Sequence, residues 1–122
     1  MTWGVADLWV TFGKVPALQG ICFEVAGGQV AAVVGGDGAG KTTLLRVMSG
    51  IPMPASGSIT IPPQNRLGYV PAAGGVFNDL TFAENLEFIA GAYGVEDAAD
   101  RAAPLLERTE LTAFTDRLAG NL

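Results

Sequence analysis

Gly35-Gly36-Asp37-Gly38-Ala39-Gly40-Lys41-Thr42-Thr43 is the stretch on which the reading of this chain turns. Gly35, Gly40, Lys41 and Thr42 fall on the spacing G-x-x-x-x-G-K-[ST] of a phosphate-binding loop. A triphosphate concentrates negative charge, and a loop that holds it must aim several backbone N–H groups at it from close range. A Cβ at the tight points would block that approach and restrict φ and ψ, so glycine is used there. The Lys41 ammonium can reach the β- and γ-phosphates, and the Thr42 hydroxyl can ligate Mg²⁺. The flanks agree. Residues 29–34 (QVAAVV) are mostly apolar and β-branched, which predicts a buried parallel strand. Residues 41–49 (KTTLLRVMS) predict a helix, closed by Gly50 with Pro52 just beyond. Strand, glycine loop and helix follow in the order that sets the phosphates at a helix N-terminus.

Composition narrows the classes. A chain of 122 residues is one domain at most, and 49% hydrophobic content supplies a core and argues against disorder. A formal net charge of −5 and an isoelectric point near 4.4 argue against nucleic acid held on a basic surface. There is no histidine, which removes imidazole acid–base chemistry and histidine metal ligation from the chain. The single cysteine, Cys22, allows no internal disulfide and reads as a small buried apolar residue in a strand. No apolar run approaches the ~18 residues of a membrane span, and no basic-then-apolar signal opens the chain. A soluble protein in a reducing compartment is the simplest expectation.

Taken in order, residues 3–12 (WGVADLWVTF) alternate loosely and residues 17–26 (ALQGICFEVA) form a second strand-like run. Gly13-Lys14-Val15-Pro16 is the turn between them, so the two are expected to pair antiparallel beside the loop. After the first helix, a breaker-rich connector at 52–57 leads to a short strand at 58–61 (SITI). Residues 67–70 (LGYV) predict a second buried strand, and Ala72-Ala73-Gly74-Gly75 a mobile loop. Thr81-Phe82-Ala83-Glu84 is a capping box. The helix it opens runs to about Tyr93, with Phe82, Leu86 and Ile89 on one face, and Gly94 stops it. A further helix is expected from Asp97 to about Glu110, kinked or split at Pro104. Residues 112–122 yield no assignment.

These segments together resemble the nucleotide-binding domain of ABC transporters, in order and over essentially the whole chain. Residues 35–43 (GGDGAGKTT) are similar to the family's Walker A form GPNGAGKTT, with Gly36 and Asp37 in place of Pro and Asn. The resemblance implies ATP bound by Gly35, Gly36, Asp37, Gly38, Ala39, Gly40, Lys41, Thr42 and Thr43, with Mg²⁺ on Thr42. It also puts Phe12, in Thr11-Phe12-Gly13, where the family stacks an aromatic ring on adenine. From the residues alone Phe12 is a core side chain at a strand end, and Trp9 on the same strand competes for the stacking role. Ala55-Ser56-Gly57-Ser58-Ile59 resembles the family's turn after the first helix. Residues 81–86 (TFAENL) resemble the LTV-x-ENL segment that opens the helical subdomain, in a form closer to exporters than to importers. The expected fold is therefore α/β, a P-loop NTPase core half of the ABC ATPase type. Its parts are antiparallel strands (1–28), the P-loop core (29–80) and the start of a helical subdomain (81–122).

Two departures bear on activity. The family places a glutamine after Tyr-x-Pro, where it meets Mg²⁺ and the attacking water; here Tyr69-Val70-Pro71 leads into Ala72. The signature motif, the Walker B carboxylate, the catalytic glutamate and the switch histidine do not occur in the chain, whose ending Leu118-Ala119-Gly120-Asn121-Leu122 resembles the approach to the signature motif. No catalytic residue is assigned. The resemblance implies the N-terminal piece of a longer protein, which binds ATP without the groups to hydrolyse it. Unpaired strand edges then predict self-association or marginal stability. The implied partners are a second nucleotide-binding domain, identical or not, and a transmembrane permease domain, at the inner face of the cell membrane. The alternative within the family is a soluble ABC-type ATPase acting on ribosomes or DNA, or a non-hydrolysing nucleotide switch. A nucleotide kinase would group arginines over the phosphates and a GTPase would carry Asn-Lys-x-Asp; the chain has neither.

Overall fold

Valine, leucine and tryptophan crowd the first dozen residues, and they form β1 (Thr2–Phe12). A two-residue turn at Gly13 (φ 59°) and Lys14 returns the chain as β2 (Val15–Ala26), antiparallel to β1 from Thr2↔Ala26 to Phe12↔Val15. β3 (Ala55–Thr60) pairs antiparallel with the other edge of β1, giving the order β2-β1-β3. The computed structural model describes residues 1–122, which form two compact units, Met1–Tyr69 and Val70–Leu122.

The loose alternation of β1 has a cause. Val5, Leu8 and Val10 are all buried, although Val5 and Leu8 are an odd number of residues apart and an ideal strand would point them to opposite faces. Asp7 absorbs the extra residue. It takes a left-handed φ of 48° where the register slips between Val5↔Phe23 and Leu8↔Ile21, a β-bulge that restores Leu8 to the core side. Gly57 stands opposite the bulge in β3 at φ 98°, and a Cβ there would lie 2.2 Å from the Asp7 carbonyl oxygen. β2 slips in turn at Gly20 (φ 58°), which moves the buried set from Leu18 to Ile21, Phe23 and Val25. α1 (Lys41–Met48) lays Leu44, Val47 and Met48, at the i, i+3, i+4 spacing, on Val5, Leu8, Val10 and Leu18. Burying each of these side chains contributes about 1.5–3 kcal/mol.

Four sequence expectations change here. Residues 29–34 form no strand and are exposed throughout, Val30 completely. A β-branched run becomes a strand only where it lies alongside a neighbour that supplies ladder partners, and residues 29–34 pair neither with β1, whose edges β2 and β3 occupy, nor with the outer edge of β2 or β3. Residues 67–70 likewise pair with no strand, and Val70 is 80% exposed. Cys22 is exposed, because the slip at Gly20 leaves it on the face opposite Ile21, Phe23 and Val25. Its sulfur accepts a 3.1 Å hydrogen bond from the Asp7 N–H. The third strand begins at Ala55, three residues earlier than the SITI run, since Ser56 and Ala55 still find partners in Trp9 and Val10.

In the second unit, α2 (Phe82–Ala92) starts from the capping box read in the sequence. The Thr81 N–H donates to the Glu84 carboxylate at 2.7 Å, and the Glu84 N–H donates to the Thr81 hydroxyl at 3.2 Å. The backbone bond from Thr81, and then its hydroxyl, hold the Glu84 carboxyl below its ordinary pKa of 4.5. Tyr93 caps the helix and Gly94 (φ 66°) ends it. α3 (Ala98–Arg108) is one helix through Pro104, not two short ones, and an Asp97–Arg101 ion pair of 3.0 Å spans its first turn. The tail, without assignment from sequence, makes 3₁₀ turns at Thr112–Phe114 and Ala119–Asn121 and returns to α2 through a bridge between Leu118 and Thr81.

Candidate functional site

The glycine loop turns tightly before α1. The Ala39 N–H donates to the Gly36 carbonyl at 3.2 Å, and Gly38 and Gly40 take φ of 78° and 98°. Among the loop's glycines, Gly40 is the least open to substitution. A Cβ there would meet Leu18 Cδ2 at 2.7 Å and the Ala17 carbonyl oxygen at 2.8 Å, so the start of β2 packs directly on the loop. The Lys41 side chain curls back over the loop, donating from Nζ to the Gly35 and Gly36 carbonyls at 2.7 Å each. Two carbonyl dipoles thus hold the ammonium above the residues that carry the phosphate-loop spacing.

Behind the loop, α1 starts without a side-chain cap and without an acidic residue in its first turn. Leu44 is its first N–H with a partner, the Gly40 carbonyl at 2.9 Å; those of Lys41, Thr42 and Thr43 have none. Free first-turn amides and the positive end of the helix dipole are what suits a helix terminus to receiving an anion. Thr42 is exposed at the same turn.

The two aromatic candidates differ. Trp9 donates from its indole Nε1 to the Asp7 carboxylate at 2.8 Å, and its ring lies over Gly20, 3.5 Å from where a Cβ would be. Phe12 is not a core residue: it is 46% exposed at the end of β1. It pairs with Val15, two residues before the Ala17 that touches Gly40, so the same end of the hairpin carries the ring and meets the loop.

The family model described as "ABC transporter" matches residues 18–122. The chain belongs to the ABC transporter family. Among its relatives, the cytochrome c biogenesis ATP-binding export protein CcmA of Roseobacter denitrificans is 41% identical over the whole of this chain and 57% of that protein. The probable multidrug ABC transporter ATP-binding protein YbhF of Escherichia coli is 42% identical over 88% of this chain and 21% of its own length. A solved structure of an ATP-binding subunit of an ABC transporter superposes with a TM-score of 0.88 at 26% identity, covering this whole chain and 56% of that one. The chain therefore spans little more than half the length of CcmA and of that subunit, and corresponds to the family's ATP-binding component with an α/β, P-loop NTPase fold. No helix is long and apolar enough to cross a membrane.

For an ABC-family chain the second unit holds two points of interest. Ala72 stands exposed in the turn closed by the Gly74 N–H to the Pro71 carbonyl at 2.9 Å, and its methyl group can neither donate nor accept. Asn85 is the residue that sequence reasoning passed over. Buried to 3% exposure, its amide accepts from the Phe77 N–H at 2.8 Å and donates to the carbonyls of Phe77, Leu80 and Thr81 at 3.0–3.3 Å. It fixes the turn entering α2, where Phe77 meets Phe88 edge-on at 5.0 Å. The available signal was an amide among apolar residues, one position after a capping glutamate.

Proposed function

We propose that residues 35–43 bind the phosphates of ATP and that the chain is the ATP-binding part of a membrane exporter. The observation that carries the reading is the open start of α1, three amides without acceptors behind left-handed Gly40 and under the curled Lys41. Lys41 would exchange two neutral carbonyls for β- and γ-phosphate oxygens, which form stronger, charge-assisted hydrogen bonds. Gly35, Gly36, Asp37, Gly38, Ala39 and Gly40 would wrap the phosphates with backbone, and Thr43 would complete the helix end. Mg²⁺, held with the help of the Thr42 hydroxyl, would supply neutralisation of the phosphate charge. No cluster of three metal-ligating side chains exists in the chain, so the nucleotide itself would carry most of the ion's ligands, with the Thr42 hydroxyl as the one from protein. Phe12, whose ring is uncommitted where Trp9 is pinned to Asp7, would stack on adenine.

The export role draws support from relatives named as ATP-binding export and multidrug transporter proteins. In that role the chain would work with a second nucleotide-binding domain and a transmembrane permease domain, peripheral to the inner face of the membrane. Ala72 favours a second reading alongside it, tight binding with slow turnover, as in a nucleotide switch.

Calorimetric titration with ATP tests the first reading. Saturable binding is expected, weakened about a hundredfold in Lys41→Ala as two charge-assisted bonds are lost. Equal binding by both proteins, or no binding by a chain whose circular dichroism shows its helices formed, overturns it.

A further inference from the structure

The phosphate loop contains a charge that opposes its own work. Asp37 lies, exposed, between Gly36 and left-handed Gly38. It forms no ion pair: the chain's salt bridge joins Asp97 to Arg101, and Lys41 spends its ammonium on the Gly35 and Gly36 carbonyls instead. The lysine and the carboxylate therefore do not cancel by direct contact. Both fields act on whatever the loop holds, and its formal side-chain charge sums to zero rather than +1.

We propose that Asp37 selects the metal-complexed nucleotide over the free one. This rests on the phosphate-binding reading of residues 35–43. Free ATP carries about two more negative charges than its Mg²⁺ complex. Repulsion from a fixed carboxylate grows in proportion to ligand charge, so it penalises the free form more. The helix dipole and the open amides of α1 attract both forms, and Asp37 takes part of that attraction back from the more highly charged one. Uncomplexed nucleotide is thereby discouraged from lodging where it lacks the ion.

The test is a set of four dissociation constants, for ATP in chelator and ATP in excess Mg²⁺, on the wild-type chain and on Asp37→Asn. The substitution is nearly isosteric and lies at an exposed position of the turn, so folding is preserved. Free ATP is expected to bind about fivefold more tightly relative to MgATP in Asp37→Asn, from Coulomb repulsion at a near-aqueous dielectric. The gain should shrink as salt rises toward 1 M, and Asp37→Glu should keep the wild-type ratio. An unchanged ratio with binding intact overturns the selection and leaves the phosphate loop standing. Binding by Lys41→Ala equal to wild type overturns the phosphate-loop reading and this inference with it.

Discussion

α1 and α2 both begin at a residue outside helical φ and ψ, and the likeness ends there. At α2, every early amide has a partner. Phe82 donates to the Arg117 carbonyl, Ala83 to that of Thr115, Glu84 to the Thr81 hydroxyl and Asn85 to the Thr81 carbonyl, all at 2.9–3.2 Å. At α1, Gly40 supplies no cap and three amides go unclaimed. A glycine at the N-cap costs a helix only a few tenths of a kcal/mol against a serine or aspartate, but it leaves the first-turn amides without a side-chain acceptor. The capped start belongs to a structural helix, whereas the uncapped one suits a helix whose missing acceptor is to arrive from solution.

Replacing Gly40 by alanine should do the most damage to this contrast. The new Cβ would need a left-handed backbone and the space of Leu18 and the Ala17 carbonyl, at a cost of about 4 kcal/mol, read as a lowered denaturation midpoint. A loss below 1 kcal/mol would mean the loop is free to reshape. Asn85→Ala probes the other start. It strips partners from the Phe77 N–H and the Phe77 and Leu80 carbonyls and should cost about 2–3 kcal/mol with nucleotide affinity unchanged. A drop in affinity would show that the two helix starts are coupled. The smallest effect is a pH dependence. Glu84 has a folded pKa depressed below 4.5, so its contribution is complete above that value and fades as pH falls below it. Thr81→Ala, which should cost about 1 kcal/mol at neutral pH, ought to reduce this slope only in part in an acid titration followed by circular dichroism, because the backbone N–H at position 81, the larger cause, stays in place.

What was legible in sequence follows the range of the forces involved. Both helix starts could be read because capping and glycine geometry are decided within four residues. Thr81 with Glu84 and Gly40 with Lys41 needed no distant partner. The hairpin of β1 and β2 was also readable, since its turn is local. Residues 29–34 were not, because a strand is a relation between two segments and nothing in QVAAVV states whether a neighbour is present. Cys22 was misplaced because its burial was read from residue type alone, whereas the slip at Gly20 decides which face it takes, as the bulge at Asp7 does for β1. Within the candidate site, the loop's residue types were legible and their commitments were not. That Trp9 is tied to Asp7 while Phe12 is exposed depends on side-chain contacts no spacing encodes.

Trp3 and Trp9, the chain's two tryptophans, both lie on β1, in the unit Met1–Tyr69. Most helical residues lie in the other unit, 22 in α2 and α3 against 8 in α1. Indole emission and far-ultraviolet ellipticity therefore watch different halves of the molecule without any label. Recorded on one sample through a denaturant series, coincident transitions would mean a single cooperative block, and separated ones two independent melts.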